Sequence, residues 1–328
     1  MKTSPMKIGT RSSAMALAQT NLVVAQLGAA HSGLEVDTVS FRPLGDIDQT
    51  SKLETHGGKG GAFVAEIRDA MRKGTLSAAM HSLKDMPGEE ETPGLLIGAV
   101  LKREAVEDVL VLPADKADQI DNVLNTKAAG LKIGTNSVRR AALLRQLFPS
   151  TEVIHYRGAV DTRLKKLDQR IPQQLPDGSH VGPADVIVVA KSGLERLGQA
   201  DRISHVLPAE DFLPAIGQGV VAVECVADDW VTREKLAAID HGPTRQCVEA
   251  EREMLWLLNG HCNAPIAGLA RLDGDTIHVR GAVFSESGDQ VIEAAASGFA
   301  DRPREVGRTV ALALLEKGAA ALLDASRR

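Results

Sequence analysis

The chain has 328 residues, 44% of them apolar and 25% charged, with a formal net charge of −5. That length accommodates two or three domains, and the acidic balance argues against general nucleic-acid affinity, so any basic surface must be local. An aromatic content of 3% is too low for a base-stacking groove, and no apolar run approaches the roughly 18 residues that cross a membrane.

The first part of the chain alternates apolar runs with helical patterns, as α/β folds do. Residues 7–9 predict a strand, 13–27 a helix and 36–41 a second strand. A glycine cluster at 57–61 predicts a loop. Phe63, Ile67, Ala70 and Met71 share one face of the helix after it, which stops at Gly74. Residues 78–80 predict a buried strand running into His81-Ser82-Leu83-Lys84-Asp85 and ended by Pro87. Strands at 95–100 and 108–112 would carry the chain into a second unit. There, 132–134 predict a strand, 138–148 a helix stopped by Pro149, and 152–155 a strand, while Val160, Leu164 and Leu167 mark one helical face. Residues 171–183, rich in Pro, Gly and polar side chains, predict a loop, and 185–190 an apolar strand. Residues 213–224 read as a return toward the first unit. A helix at 244–258 then precedes strands at 265–272, 276–284 and 290–299, with hairpin turns at Asp273-Gly274 and Ser287-Gly288-Asp289. An amphipathic helix over 304–323 completes a small α+β unit with a three-stranded antiparallel sheet.

One segment occurs twice. Lys7-Ile8-Gly9-Thr10-Arg11-Ser12-Ser13 is echoed 125 positions later by Lys132-Ile133-Gly134-Thr135-Asn136-Ser137-Val138. Each copy passes from an apolar stretch through Gly-Thr and Ser into a helix. The helix N–H groups and dipole at such a turn attract anions. Arg11 lies in the first copy, and Arg139 and Arg140 follow the second. Two such turns, each with arginine, point to two related domains facing one polyanionic ligand.

Other basic residues, Lys59, Lys84, Arg157 and Arg163, also fall at expected loops or first helical turns. Any one could be a solvated surface charge worth under about 1 kcal/mol. As a set they suit a ligand rich in carboxylates, which guanidinium groups bind with paired hydrogen bonds. Asp85 stands at the end of an expected buried strand, where α/β folds bind ligands; a helix-capping role is the alternative.

Of three cysteines, Cys225 and Cys247 have core patterns, whereas Cys262 lies in the loop Asn259-Gly260-His261-Cys262-Asn263-Ala264-Pro265, either reachable or inert. An odd number without a C-x-x-C fits a reducing compartment, and with no signal-peptide pattern the expected location is cytoplasmic. No spacing suggests a metal site, and His31, His180, His205 and His241 read as surface residues.

Seven separated motifs together resemble the porphobilinogen deaminase (hydroxymethylbilane synthase) family, nearly end to end. They are Gly9-Thr10-Arg11-x-Ser13, Gly57-Gly58-Lys59-Gly60, His81-Ser82-Leu83-Lys84-Asp85-Met86-Pro87, Gly134-Thr135-x-Ser137-Val138-Arg139-Arg140, Arg157-Gly158 with Thr162-Arg163, Leu213-Pro214-Ala215-Ile216-Gly217-Gln218-Gly219, and Gly260-x-Cys262-x-x-Pro265-Ile266. The resemblance implies two domains like type II periplasmic binding proteins plus a small C-terminal domain. The boundaries would be 1–103 with 204–221, then 104–203, then 222–328. It implies head-to-tail condensation of four porphobilinogen molecules with loss of four ammonias, on a dipyrromethane cofactor held as a thioether by Cys262. Asp85 matches the catalytic aspartate. Lys84, Ser13, Lys59, Thr135, Ser137, Arg139, Arg140 and Gln218 would bind the cofactor; Arg11, Arg157, Arg163 and Phe63 would bind substrate, although Phe63 suits the helix core equally well. The resemblance further implies a monomer that needs neither nucleic acid nor membrane. The chain departs from the family in carrying His261 where Gly usually precedes the cysteine, Pro43 at the start of a usual Thr-x-Gly-Asp, and Ala159 for a usual Asn. Two rivals remain open: a two-lobed anion-binding protein without catalysis, and an enzyme that uses Cys262 as a turnover nucleophile.

Overall fold

The structure, a computed structural model, describes residues 5–41, 64–88, 92–260 and 264–326. Lys59, Phe63, the 57–61 glycine cluster, His261 and Cys262 lie outside the described residues.

Two five-stranded sheets form the body. The first contains β1 (Met6–Arg11), β2 (Val36–Phe41), β3 (Ala78–Ser82), β4 (Leu95–Val100) and β12 (Val221–Val226), ordered β2-β1-β3-β12-β4. The second contains β5 (Asp108–Val111), β6 (Lys132–Gly134), β7 (Glu152–Ile154), β10 (Val186–Ala190) and β11 (His205–Leu207), ordered β7-β6-β10-β5-β11. The orders correspond strand for strand. In each sheet three strands run parallel; the fourth, contributed from across the connection, runs antiparallel to both neighbours. The repeated segments occupy equivalent places, β1 and β6, so the sequence echo is a structural duplication.

The local reasons also match. Ser13 caps the helix Ala14–Ala30 by accepting from Ala16 N at 3.3 Å, and Ser137 caps Val138–Leu147 by accepting from Arg140 N at 3.4 Å. Gly134 has no alternative: a Cβ there would stand 2.8 Å from the Tyr156 ring.

The crossovers at 101–107 and 208–220 join the sheets side by side. Glu104 N donates to Gly219 O at 3.0 Å.

The third unit is the antiparallel sheet β13 (Ile266–Asp273), β14 (Thr276–Phe284), β15 (Val291–Phe299), backed by the helices Gly242–Leu257 and Pro303–Glu316 around a core that includes Met254, Val279, Val310 and Leu314. Glu251, fully buried on the first of these helices, ties the unit to the crossovers. It accepts from Gly217 N at 2.7 Å and pairs with Arg103.

Several expectations shift. β12 is the fourth strand of the first sheet, and the helix Trp230–Ala237 follows it, so the expected boundary at 222 moves to about Gly242. The 220–226 run is apolar but for Glu224, which pairs with Arg68 and His81, because both its faces are covered, a pattern that does not reveal which sheet receives it. β11, expected in the first unit, pairs with β5 in the second. The last helix is two: Gly318, at φ 95°, separates Pro303–Glu316 from Ala319–Ala325. Residues 171–183 contain the small hairpin β8 (Gln173–Gln174) and β9 (His180–Val181). His241 caps the helix Gly242–Leu257, its Nδ1 accepting from Thr244 N at 3.2 Å, and His31 Nε2 lies 2.9 Å from Lys235 O.

Candidate functional site

The basic residues do not behave as solvated surface charges. Arg139, Arg140 and Arg157 are each at least nine-tenths buried. Asp108, completely buried at the start of β5, holds the first two. Its Oδ2 accepts from Arg139 Nη2 at 2.7 Å, and its Oδ1 accepts from Arg140 Nη2 at 2.7 Å and Nε at 3.2 Å. Burial alone would raise the Asp108 pKa, but the guanidinium groups of Arg140 and Arg139 hold it far below the ordinary carboxylate range. Arg139 also donates to Leu213 O at 2.7 Å and lies over the Phe212 ring.

Lys84 and Asp85 sit on a 3-10 turn (Leu83–Asp85) directly after β3. The turn is fixed by Leu83 N donating to Val220 O at 3.0 Å. Lys84 turns inward and its Nζ donates to Gln218 Oε1 at 3.4 Å. Burial, and then the nearby Arg140, lower its pKa to about 8. Asp85 is exposed, and the chain after it is extended, so it begins no helix and its capping alternative falls away.

Gln218 is completely buried, and its amide nitrogen donates to Val106 O at 2.7 Å and Asp108 Oδ1 at 3.0 Å. Both ends of its side-chain amide therefore have protein partners, Lys84 at the oxygen and Val106 and Asp108 at the nitrogen.

Arg163, on the helix Val160–Asp168, completes the cluster. Burial and the Arg140 charge lower its pKa to about 10, and its Nε has no partner among the described residues. Thr135 is buried, and its hydroxyl accepts from Ser137 N at 3.1 Å. Arg157 stands on the loop leading from β7 into the Arg163 helix. Arg11 and Ser13 stand at the matching end of β1, where the Ala14–Ala30 helix reaches the second domain: Met15 Cε would lie 3.4 Å from a Cβ on Gly193.

A small cavity lies where all three units meet. Lys84, Ser137, Arg139 and Arg252 line its polar side; Leu83, Met86, Ile216, Leu255 and Ile266 line its apolar side. Sequence reasoning missed Arg252 and Asp108. Arg252 is embedded in a helical pattern, and Asp108 read as the first residue of an apolar strand.

These features define an α/β protein with two matching sheet domains, a buried cationic cluster against the crossovers that join them, and a third, smaller domain packed at one side. The chain belongs to the porphobilinogen deaminase family. Residues 6–234 match the family described as "Porphobilinogen deaminase, dipyromethane cofactor binding domain", and residues 245–316 match "Porphobilinogen deaminase, C-terminal domain". The porphobilinogen deaminase of Xanthomonas oryzae pv. oryzae (strain PXO99A) is 42% identical over 98% of this chain and 99% of its own length. That of Syntrophobacter fumaroxidans is 38% identical over 97% of each. The interval between the two matches runs from the end of the Trp230–Ala237 helix to the start of the Gly242–Leu257 helix.

Proposed function

We propose that the protein is a transferase that condenses four porphobilinogen molecules head to tail, releasing four ammonias, to give hydroxymethylbilane for tetrapyrrole synthesis. It does so on a dipyrromethane group held through sulfur by Cys262. The observation that carries this reading is an imbalance of charge. Four cations (Lys84, Arg139, Arg140 and Arg163) surround a single buried carboxylate, Asp108. Burial and the neighbouring Arg140 disfavour the charge of Lys84, and the Nε of Arg163 has no partner among the described residues; an anion beside them would relieve both, which supports this reading. A dipyrromethane bears acetate and propionate groups, two carboxylates per ring, so this donor set fits it.

Lys84, Thr135, Ser137, Arg139 and Arg140 would hold the cofactor's carboxylates, with Lys59 and Ser13 assigned to it by motif. When bound, the cofactor supplies the pyrrole carbon from which the product chain grows. Arg11, Arg157 and Arg163 take the carboxylates of incoming porphobilinogen and fix its orientation, with Phe63 assigned beside its ring by motif. Asp85, exposed and adjacent to Lys84, stabilises the positive charge that develops on the substrate as ammonia departs, and holds pyrrole N–H groups. Opposite charges about 4 Å apart attract by about 4 kcal/mol at an effective dielectric near 20, against about 1 in water, so water exclusion strengthens this contact. The protein acts as a cytoplasmic monomer.

The test is intact mass. The purified protein is expected to exceed its sequence mass by two linked pyrrole units, and Cys262→Ala to lose that excess. Asp85→Asn is expected to keep the fold and the added mass while nearly abolishing porphobilinogen consumption. A bare polypeptide mass, with substrate untouched, rules the proposal out.

A further inference from the structure

The hairpin β8–β9 grips the loop that carries Arg157. Gln173, 3% exposed, brings its side-chain carbonyl against that loop. Its Oε1 accepts from the backbone N–H of Arg157 at 3.0 Å and from Lys166 Nζ at 3.0 Å. Lys166 Nζ in turn donates to the backbone carbonyl of Arg157 at 3.2 Å. Both backbone polar groups of Arg157 are therefore held, one by Gln173 and one by a lysine that Gln173 also holds. The amide nitrogen of Gln173 donates to Gln174 O at 2.8 Å, which fixes the direction of its carbonyl. Immediately afterwards, Gly158 at φ 125° turns the chain into the Val160–Asp168 helix, so any rotation at residue 157 would swing the guanidinium.

Lys166 is an unusual clamp. It lies among like charges, and burial together with Arg163 lowers its pKa. Gln173 gives it a neutral acceptor rather than a carboxylate, so the local charge seen by an incoming anion is not cancelled.

We propose that Gln173, acting with Lys166, is a positioning residue for Arg157. This rests on the reading of Arg157 as a carboxylate ligand for porphobilinogen. Removing the acceptor leaves the buried Arg157 N–H without its partner and takes from the half-buried Lys166 ammonium one of its two acceptors, and the loop must move to resolvate them.

The experiment is a double-mutant cycle in the holoenzyme with Gln173→Leu and Arg157→Lys. Gln173→Leu is expected to raise KM for porphobilinogen about tenfold, with kcat within about twofold. Cofactor mass and melting temperature should hold, while hydrogen exchange at the Arg157 amide speeds up. In the Arg157→Lys background the same substitution is expected to add less than about twofold. Asp177→Ala, which loosens only the hairpin turn by removing the acceptor for Ser179 N, is expected to leave KM unchanged. A normal KM in Gln173→Leu, or an effect of full size in the Arg157→Lys background, overturns the positioning role. An unchanged KM in Arg157→Lys alone overturns the reading of Arg157, and the proposal falls with it. Should Gln173→Leu fail to fold, Lys166→Met cuts the carbonyl side of the same clamp, and the same pair of outcomes decides.

Discussion

Gln218 donates its side-chain amide to Asp108 Oδ1 at 3.0 Å, so a residue of the second crossover completes the shell of the carboxylate that holds both arginines. Through its other arm, 3.4 Å from Lys84 Nζ, the same side chain reaches the first domain. The crossovers and the cationic cluster thus share one hydrogen-bond network, in which Asp108 is the carboxylate that holds both arginines.

Asp108→Asn is therefore expected to destabilise the protein by about 3–5 kcal/mol, the cost of stripping a buried charge cluster of its counter-ion. Urea unfolding at pH 7 measures it. The pH dependence has a definite sign. A carboxyl group whose folded pKa is depressed contributes stability above its unfolded pKa, near 4, and loses it as pH falls toward the folded value. Wild type should lose stability through this acid range more steeply than Asp108→Asn; equal slopes would contradict the assignment.

Lys84 acts in the opposite direction. Its pKa falls from 10.5 to about 8 on folding, because burial and the neighbouring arginines disfavour its charge. Between pH 8 and 10.5 the unfolded chain binds the extra proton, so this residue makes stability rise with pH there. Below about 8 the penalty is present in full. In protein freed of cofactor by Cys262→Ala, Lys84→Met is expected to gain about 1–3 kcal/mol at pH 7, a gain that fades by pH 10.5. A pH-independent difference would mean that the gain comes from packing rather than from relieved charge. The same substitution in the full protein should impair cofactor assembly, since the destabilising charge is the one that meets the ligand.

The thiols give a separate check. Cys225 and Cys247 are buried, and burial raises both to about pKa 11. Neither forms an appreciable thiolate near neutrality. Cys262→Ala protein is expected to resist alkylation in its native state at pH 8 and to take up two labels after unfolding, as read by mass spectrometry. Rapid native labelling of that variant would show that one of these two cysteines is reachable, and would reopen the choice of attachment site.

Much of this was legible in the sequence because local chemistry determined it. The repeat at Lys7 and Lys132 specified two copies of a Ser-capped strand–helix turn, and both are present. The antiparallel order of the third unit followed from its two tight turns. What escaped was non-local. Asp108 reads as the polar first residue of a strand; only the fold brings it to arginines 31 and 32 positions away. Gln218 carried a motif but no hint that its amide faces inward. β12 is apolar except for Glu224, and the pairing that assigns it to the first sheet spans well over one hundred residues. Gln173 lay in a stretch whose Pro and Gly content signals a loop, although its neighbours pair as strands.

Gly219 tests the hinge itself. Its carbonyl accepts from Glu104 N at 3.0 Å and from Arg196 Nη2 at 3.2 Å, so the two crossovers and the Lys191–Arg196 helix converge on one peptide. The residue sits at φ 81°, and a Cβ there would stand 2.7 Å from Glu104 O and 2.9 Å from Ala105 O. Those neighbours are backbone and cannot rotate away, so Gly219→Ala must push the crossovers apart. A comparison isolates that term. Gly274, in the turn between β13 and β14, also has positive φ, but nothing lies within 4 Å of its missing Cβ. Gly274→Ala should cost about 1 kcal/mol of backbone strain. Gly219→Ala should cost about 1–3 kcal/mol beyond that and lower kcat, because the displaced crossover carries Gln218 and so disturbs Asp108 and Lys84 together. Equal melting temperatures for the two variants, with unaltered turnover in Gly219→Ala, would mean that the crossovers have slack where the geometry gives them none.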